Sequence, residues 1–148
     1  MIKSKKPTIK TFAELSKIQL YSILKLRLQV FCVEQNCPYQ DIDDQDQQAL
    51  HVFIQEDSAV IAYARIIKPK NNIFHIGRVV VDENSRKLGL ATQIMNQCIE
   101  EIQKQKNTTI IISAQSYLQE FYKNLGFVNT GEYYLEDNIP HERMQLIS

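Results

Sequence analysis

Apolar residues recur at helical spacing in three stretches of the chain, and each stretch predicts a helix. Residues 13–34 contain almost no helix-breaking residue, so they are expected to form the first helix, with Thr11 or Ser16 as its cap. A second helix is expected to begin around Leu88. Its apolar stripe consists of Ala91, Ile94, Met95, Cys98, Ile99 and Ile102. A third, over residues 116–125, stops at Gly126, a residue typical of left-handed helix ends.

Shorter apolar runs between these helices predict strands. The predicted strands cover residues 9–12, 51–56, 59–67, 73–81, 109–113, 127–130 and 144–147. Asp57 and Ser58 are expected to close a hairpin, and the run of three valines at 79–81 indicates a strand centre buried on both faces. The order β-α-β-β-β-α-β-α-β-β predicts the α/β class, with a mixed, mostly antiparallel central sheet flanked by helices.

Composition predicts one globular domain over residues 1–148. Hydrophobic residues make up 44% of the 148 positions and charged residues 23%, which excludes a wholly disordered chain. A chain of this length buries enough surface to fold without disulfides. No apolar run reaches the roughly 18 residues of a membrane span, and the first residues lack the apolar stretch of a signal peptide. Three cysteines, an odd number, then favour a cytoplasmic protein with free thiols.

Charge is unevenly distributed, although 17 basic and 17 acidic residues cancel overall. Residues 1–40 carry 7 basic and 2 acidic groups, whereas residues 41–57 carry 6 acidic groups and no lysine or arginine. Because no clustered basic stripe occurs, the sequence does not favour a nucleic-acid-binding protein. The acidic block predicts a loop that attracts cations; the alternative is an ordinary solvated surface loop.

The most informative motif lies where the valine strand leads into the second helix. A short turn over residues 82–85 is followed by Arg86, Lys87, Leu88, Gly89, Leu90 and Ala91. Unpaired main-chain N–H groups at such a helix start bind phosphate groups, and Gly89 allows close approach of a ligand. With a single glycine the stretch matches neither a Walker A loop nor G-x-G-x-x-G. An ordinary capped helix with two surface bases is the alternative interpretation.

Combined with a second motif downstream, this stretch resembles the GNAT superfamily of N-acetyltransferases. The second motif is Tyr122-x-x-x-Gly126-Phe127, and Gln115 stands seven residues before the tyrosine. Within the superfamily the chain is similar to the ElaA-like proteins from about residue 12 to residue 146. The fragments similar to that group include Arg27-x-x-Val30-Phe31-x-Val33-Glu34-Gln35 and Glu136-Asp137-Asn138-Ile139-Pro140-His141. Lys87 and Asn138 stand where the family often has glycine, so a left-handed conformation would strain Lys87 more than Asn138.

The resemblance implies the acyl-CoA N-acyltransferase fold with acetyl-CoA as co-substrate. Its pyrophosphate would lie on the main-chain N–H groups of residues 86–91, and its pantetheine along Val79, Val80 and Val81. That strand would diverge from residues 110–113, and an N–H near Val79 or Val81 would stabilise the oxyanion. Gln115 would contact the cofactor, and Tyr122 would protonate the leaving thiolate.

The acceptor implied by the resemblance is a primary amine. Deprotonating a lysine-like ammonium at pH 7 spans about 3.4 pK units, roughly 4–5 kcal/mol, so a base is expected. Glu34 is the first candidate; His51, His75, His141 and bulk water are alternatives. His75 is also a candidate substrate contact. The acidic loop is predicted to select a cationic amine through Asp41, Asp43, Asp44 and Asp46.

These features predict an acetyl-CoA-dependent N-acetyltransferase that works by direct attack in a ternary complex. The alternatives are a non-catalytic acyl-CoA-binding or interaction module with the same fold, and a generic nucleotide-binding domain. The expected partner is a small-molecule or peptide amine, with no nucleic acid and no membrane, and the protein is expected to be a monomer or homodimer. No metal is predicted, because the spacing of Cys32 and Cys37 matches no common zinc pattern.

Overall fold

The computed structural model describes residues 6–148 as a seven-stranded sheet with helices on both faces. The strands are β1 (Thr8–Thr11), β2 (Leu50–Glu56), β3 (Ala59–Lys70), β4 (Ile73–Val81), β5 (Thr109–Gln115), β6 (Val128–Glu136) and β7 (Ile139–Ile147). The helices are α1 (Lys17–Arg27), α2 (Leu90–Ile102) and α3 (Gln119–Asn124). The order of elements is the predicted one.

The sheet is mixed and mostly antiparallel, as the sequence predicts. Its strand order is β1-β2-β3-β4-β5-β7-β6, in which β4 and β5 run parallel and the other neighbouring pairs run antiparallel. The parallel pair is joined through α2, which provides the long crossover that parallel strands require. The fold prediction is confirmed.

The parallel strands β4 and β5 pair over only three residues and then separate. The paired segments are 73–75 of β4 and 109–111 of β5. Beyond His75 and Ile111 the two strands diverge, while β5 stays paired to β7 up to Gln115. The second half of β4 therefore has a free side, and the predicted divergence is present.

A bulge in β4 accompanies this divergence. Arg65 of β3 faces Gly77 of β4, and Tyr63 of β3 faces Val80 of β4. Two steps along β3 therefore match three steps along β4, so β4 holds one extra residue. Arg78 lies within the bulge and has a φ of 51°, in the left-handed region. Such a residue is uncommon outside glycine, asparagine and aspartate, and surrounding contacts must hold it in place.

The core is divided between the two faces of the sheet. On one face α2 buries Ile94, Met95 and Cys98, and burial raises the pKa of the Cys98 thiol. On the other face α1 packs Ile23 against Phe53 in a second apolar cluster. Cys98 is thus a core residue, as its position on the apolar stripe predicts.

The first helix is shorter than predicted. Ser16 caps α1 through a capping box with Gln19, which accounts for its start. After Arg27 the chain continues as a wider π-helical segment, Leu28–Glu34. Apolar spacing does not distinguish these two helical forms, so residues 13–34 read as one element in the sequence.

Two further boundaries differ from the prediction. The helix α2 begins at Leu90 and not at Leu88, because Lys87 (φ 65°) and Gly89 (φ 75°) are both left-handed. The strands β6 and β7 extend to a tight turn at Asp137 and Asn138, whose φ angles are 50° and 63°. Since β6 is a mostly exposed edge strand, its sequence lacks the apolar alternation that would mark its length.

Among residues 6–148, no helix has both the length and the apolar character needed to cross a membrane.

Candidate functional site

A cavity of about 680 Å³ opens where β4 and β5 diverge. Its walls come from the second half of β4, the start of α2, the end of β5, the π-helical segment with residues 35–39, the region around α3, and the β6–β7 turn. We call the part beside residues 85–92 the cofactor end, and the part beside residues 35–39 and 136–141 the acceptor end. Each end is built differently.

Ten of the eleven predicted cofactor residues line this cavity. They are Val79, Val80, Val81, Arg86, Lys87, Gly89, Leu90, Ala91, Gln115 and Tyr122. The exception is Leu88, whose side chain is 51% exposed and does not line the cavity. Leu88 lies between two left-handed residues, and the local turn directs its side chain to solvent.

The start of α2 presents unpaired main-chain N–H groups at the cofactor end. Gly89 is the N-cap and provides no side chain to accept hydrogen bonds from the first turn. A Cβ built on Gly89 would meet no atom within 4 Å, so the approach to these groups is open. The positive end of the helix dipole adds to their attraction for an anion. Lys87 adopts a left-handed conformation, which is consistent with its place where the family often has glycine.

Arg86 and Glu34 form a two-point ion pair across the cavity wall. Arg86 Nη1 lies 2.6 Å from Glu34 Oε2, and Arg86 Nη2 lies 2.8 Å from Glu34 Oε1. Arg86 Nε also donates to the Val81 carbonyl, at 3.2 Å. The hydrogen bonds from Arg86 lower the pKa of Glu34, which makes this carboxylate a weaker base. The geometry thus argues against the first candidate for a general base.

Tyr122 lies on α3 and is nearly buried at the cavity wall. It is 7% exposed and meets the rings of Phe121 and Phe127 edge-on, at centroid distances of 5.0 and 6.2 Å. Burial raises its pKa to about 12, so the phenol keeps its proton at neutral pH. A protonated hydroxyl in this position suits the predicted proton donor.

Two carboxylates of the acidic loop are buried against an arginine. Arg27, fully buried, donates from Nε to Asp41 Oδ2 at 2.9 Å and from Nη1 to Asp46 Oδ1 at 2.7 Å. Asp41 and Asp46 are only 2% and 6% exposed. Neither residue lines the cavity.

Two more arginines complete this ion-pair network. Arg65 Nη1 lies 2.8 Å from Asp43 Oδ1, and this hydrogen bonding lowers the pKa of Asp43 to about 2. Arg78, the bulge residue, donates to the Asp41 carbonyl at 3.0 Å and lies over the ring of Tyr39. We call the set Arg27, Arg65, Arg78, Asp41, Asp43 and Asp46 the loop network.

The predicted role of the acidic loop in attracting a cationic substrate is therefore wrong for Asp41, Asp43 and Asp46. Three guanidinium groups neutralise the three carboxylates, and none of these carboxylates lines the cavity; of the six network residues, Arg78 alone does. Asp44 is exposed and, within residues 6–148, forms no ion pair. It fits the alternative of a solvated surface position.

The three histidines occupy different places. His51 is fully buried and hydrogen-bonds the Tyr63 hydroxyl (2.7 Å) and the Asp46 carbonyl (2.9 Å), away from the cavity. His75 faces Ile111 across the β4–β5 pair, roughly 13 Å along the sheet from the end of β5. It does not line the cavity, contrary to its predicted substrate contact. Only the third, His141, lies on the cavity wall.

The acceptor end is assembled from side chains that lie far apart in the sequence. Gln115 Nε2 lies 3.4 Å from Gln35 Oε1, and Cys37 Sγ lies 3.6 Å from the Asp137 carbonyl. Glu136 and Asp137 bring negative charge to this end, opposite the basic Arg86 and Lys87 at the cofactor end. Glu136 and Asp137 belong to a motif of the family resemblance, but the sequence predicts no role for either residue. The available signal is their position five and four residues before His141 in the same motif.

Within residues 6–148, no cluster of three histidine, cysteine, aspartate or glutamate side chains is arranged to hold a metal ion.

Comparison with known proteins places these features in context. A family model described as an acetyltransferase (GNAT) domain matches residues 17–148. The Escherichia coli protein ElaA is 41% identical over 134 residues, covering 87% of this chain and 88% of that protein. The crystal structure of E. coli ElaA has a TM-score of 0.88 at 39% identity, over 95% of this chain and 99% of that one.

Two other solved structures share the fold. An acyl-CoA N-acyltransferase from Pseudomonas aeruginosa has a TM-score of 0.87 at 38% identity, over 94% of this chain and 97% of that one. An aminoglycoside 6′-N-acetyltransferase complexed with coenzyme A has a TM-score of 0.74 at 16% identity, over 95% and 96% of the two chains. The resemblance seen in the sequence is confirmed.

Proposed function

The chain belongs to the GNAT acetyltransferase family, and we propose that it transfers an acetyl group from acetyl-CoA to a primary amine by direct attack in a ternary complex. One observation carries the proposal: the free side of β4 lies beside the uncapped start of α2, in one cavity. This arrangement suits an elongated ligand with a phosphate group at one end and an extended arm at the other.

The residues of the cofactor end fit coenzyme A. The first-turn N–H groups after Gly89 would bind its pyrophosphate, because they have no side-chain cap and face open space. Lys87 would add positive charge there, since its own side chain is exposed. The free main-chain groups of residues 79–81 would hydrogen-bond the extended arm as a neighbouring strand does. Bound acetyl-CoA supplies the thioester whose carbonyl carbon is attacked.

Two groups of this chain would serve the transfer itself. A main-chain N–H of Val79 or Val81, freed by the bulge and the divergence of β5, would stabilise the negative charge that develops on the carbonyl oxygen. The Tyr122 hydroxyl would give its proton to the departing sulfur, since this phenol, whose pKa burial raises to about 12, is protonated at neutral pH.

The acceptor that fits best is a cationic amine on a small molecule or peptide. The acceptor end carries Glu136 and Asp137, whereas the loop network is already neutralised. Negative charge at the mouth would raise the local concentration of a cationic acceptor.

The test is an acceptor screen that measures thiol release from acetyl-CoA, with spermidine and a lysine peptide among the amines. Amine-dependent release supports the proposal. Thermal shift with acetyl-CoA, CoA and ATP runs in parallel, and ligand at 100 times its Kd should add about 2.7 kcal/mol to the free energy of unfolding. Binding of both CoA forms without thiol release for any amine would favour the non-catalytic acyl-CoA-binding module, and preference for ATP would favour a nucleotide-binding domain.

A further inference from the structure

His141 is a buried titratable side chain on the wall of the acceptor end. It lies on β7, faces Gln115 of β5 on one side and Tyr134 of β6 on the other, and is 6% exposed. It lines the cavity together with Gln115 and Glu136. Three neighbouring strands therefore fix its position.

The hydrogen bonds of His141 determine which ring nitrogen carries the proton. Nδ1 lies 2.7 Å from the carbonyl oxygen of Ile139. A carbonyl oxygen can only accept, so Nδ1 carries the hydrogen and donates it. In the neutral ring Nε2 then has a free lone pair and is able to take a proton.

The ring plane is fixed as well. The Tyr134 ring stacks on the imidazole, with 6.1 Å between centroids and an interplanar angle of 17°. Tyr134 is itself held by a hydrogen bond between its hydroxyl and Ser113 Oγ on β5. The imidazole is thus held in place by the Ile139 carbonyl at one edge and by the Tyr134 ring on one face.

A carboxylate lies beside the free nitrogen. Glu136 Oε2 is 3.4 Å from His141 Nε2, and the Glu136 side chain is 54% exposed at the cavity wall. A carboxylate in this position stabilises an imidazolium once Nε2 has taken a proton. The Tyr134 phenol of β6 also contacts the ring, and the neutral Gln115 is the cross-strand partner of His141 on β5.

We propose that His141 is the general base that deprotonates the acceptor amine, with Glu136 stabilising the resulting imidazolium. The inference rests on the proposed function and names the proton acceptor that it requires. Glu34, the first candidate for the base, also lines the cavity, but it is held by two hydrogen bonds from Arg86, which lower its pKa and make it a weaker base.

The protons balance as follows. The acceptor ammonium loses two protons over the reaction, and His141 Nε2 takes the first and passes it to solvent. The freed lone pair forms the N–C bond as the C–S bond breaks. The second proton leaves the nitrogen as the amide forms. It replaces, on Tyr122, the proton that the phenol gives to the thiolate.

The test compares His141→Asn with His75→Gln. Asparagine keeps an N–H near the position of Nδ1 and so keeps the bond to the Ile139 carbonyl, but it has no basic nitrogen. We expect kcat for a lysine-like amine at pH 7 to fall roughly 10²-fold to 10⁴-fold in His141→Asn, with the KM for acetyl-CoA changed less than about threefold. His75→Gln removes a half-buried histidine from the same sheet face, outside the cavity, and should keep the wild-type rate.

Two readouts separate a base from a merely structural residue. The acid limb of the kcat/KM profile should be lost in His141→Asn, because the variant has no imidazole that can take the proton. An acceptor amine of low pKa is already deprotonated at pH 7, so its rate should fall much less in His141→Asn than that of a lysine-like amine.

The outcomes are distinguishable from those of the proposed function. If the wild-type protein releases no thiol with any amine, both the proposed function and this inference are overturned. An active wild-type protein whose acid limb survives in His141→Asn overturns this inference alone. An equal loss of rate in His141→Asn for amines of high and low pKa also overturns this inference alone, provided that CoA still stabilises the variant in thermal unfolding.

Discussion

The two ends of the cavity differ in how the chain builds them. The cofactor end is formed by main-chain groups of consecutive residues around Gly89, whose conformation is decided locally. The acceptor end is formed by residues as far apart as Cys37 and Asp137, whose thiol and main-chain carbonyl meet only after folding. The first end should therefore tolerate changes of side chain, and the second should not.

A third region, the loop network, resembles the acceptor end in charge but not in role. Its carboxylates are matched by arginines, whereas Glu136 and Asp137 lie at the cavity surface. The comparison shows that acidic residues in a sequence reveal an electrostatic site only when their partners are known. The four predictions below test these differences, from the largest expected effect to the smallest.

Removing Arg27 should have the largest effect, on stability. Arg27→Met leaves Asp41 and Asp46 buried without their main partner, and breaking a buried ion pair from one side costs about 3–5 kcal/mol. Urea unfolding of the wild type and the variant measures this. The matched control is Asp44→Asn, at the exposed position of the same loop, which should stay within about 0.5 kcal/mol. A loss below about 1 kcal/mol for Arg27→Met would show that the loop does not depend on this network.

Removing the hydroxyl of Tyr122 should act on rate and not on binding. Tyr122→Phe keeps the ring between Phe121 and Phe127 but has no proton to donate. We expect kcat for the best amine of the screen to fall at least about 10²-fold, equivalent to roughly 2.7 kcal/mol in the activation barrier. The rate of thiol release from acetyl-CoA gives kcat, and calorimetry with CoA should show an affinity near the wild-type value. A variant with wild-type kcat would remove Tyr122 from the mechanism.

Much of the fold and the cofactor end could be predicted because the signals are local. The Ser16 cap, the left-handed Gly126 and the left-handed Lys87 each depend on a few neighbouring residues. The divergence of β4 and β5 is implied by the family resemblance, and the bulge at Arg78 that accompanies it leaves no mark in the apolar pattern.

The loop network and the acceptor end could not be predicted, because pairing over long sequence distances decides both. Asp43 finds Arg65 22 positions away, so an apparently exposed acidic block becomes neutral. The sheet register places His75 on the same face as His141, but the predicted strand at 144–147 does not include His141, and the sequence does not say which of the two reaches the cavity. That choice depends on where β5 leaves β4.

Acid should destabilise the protein through two groups, Asp43 of the loop network and His51, which hydrogen-bonds the carbonyl of Asp46. Burial lowers the pKa of His51 below 6.5, so the unfolded chain binds this proton more readily and stability falls as pH drops below about 6.5. Asp43, whose pKa the hydrogen bonds from Arg65 lower to about 2, contributes stability above about pH 4 that is lost as pH falls towards 2. Each group changes the free energy of unfolding by less than about 1.4 kcal/mol per pH unit.

Urea unfolding at pH 7.5, 6, 5 and 3 measures this dependence. His51→Gln removes the first titration, so the stability difference between wild type and variant should shrink between pH 6.5 and 5. A constant difference over that range would mean that burial does not perturb His51.

The smallest effect is expected at Lys87, and it tests whether main-chain groups form the cofactor end. Lys87→Gly relieves a left-handed residue, while glycine adds freedom to the unfolded chain, so stability should change by less than about 0.5 kcal/mol. Calorimetry should find CoA affinity within about threefold of wild type, since the amide is kept. Ala91→Pro, in the first turn of α2, removes one amide and should weaken binding about tenfold or more. Equal affinities for both variants would mean that side chains, not amides, hold the cofactor.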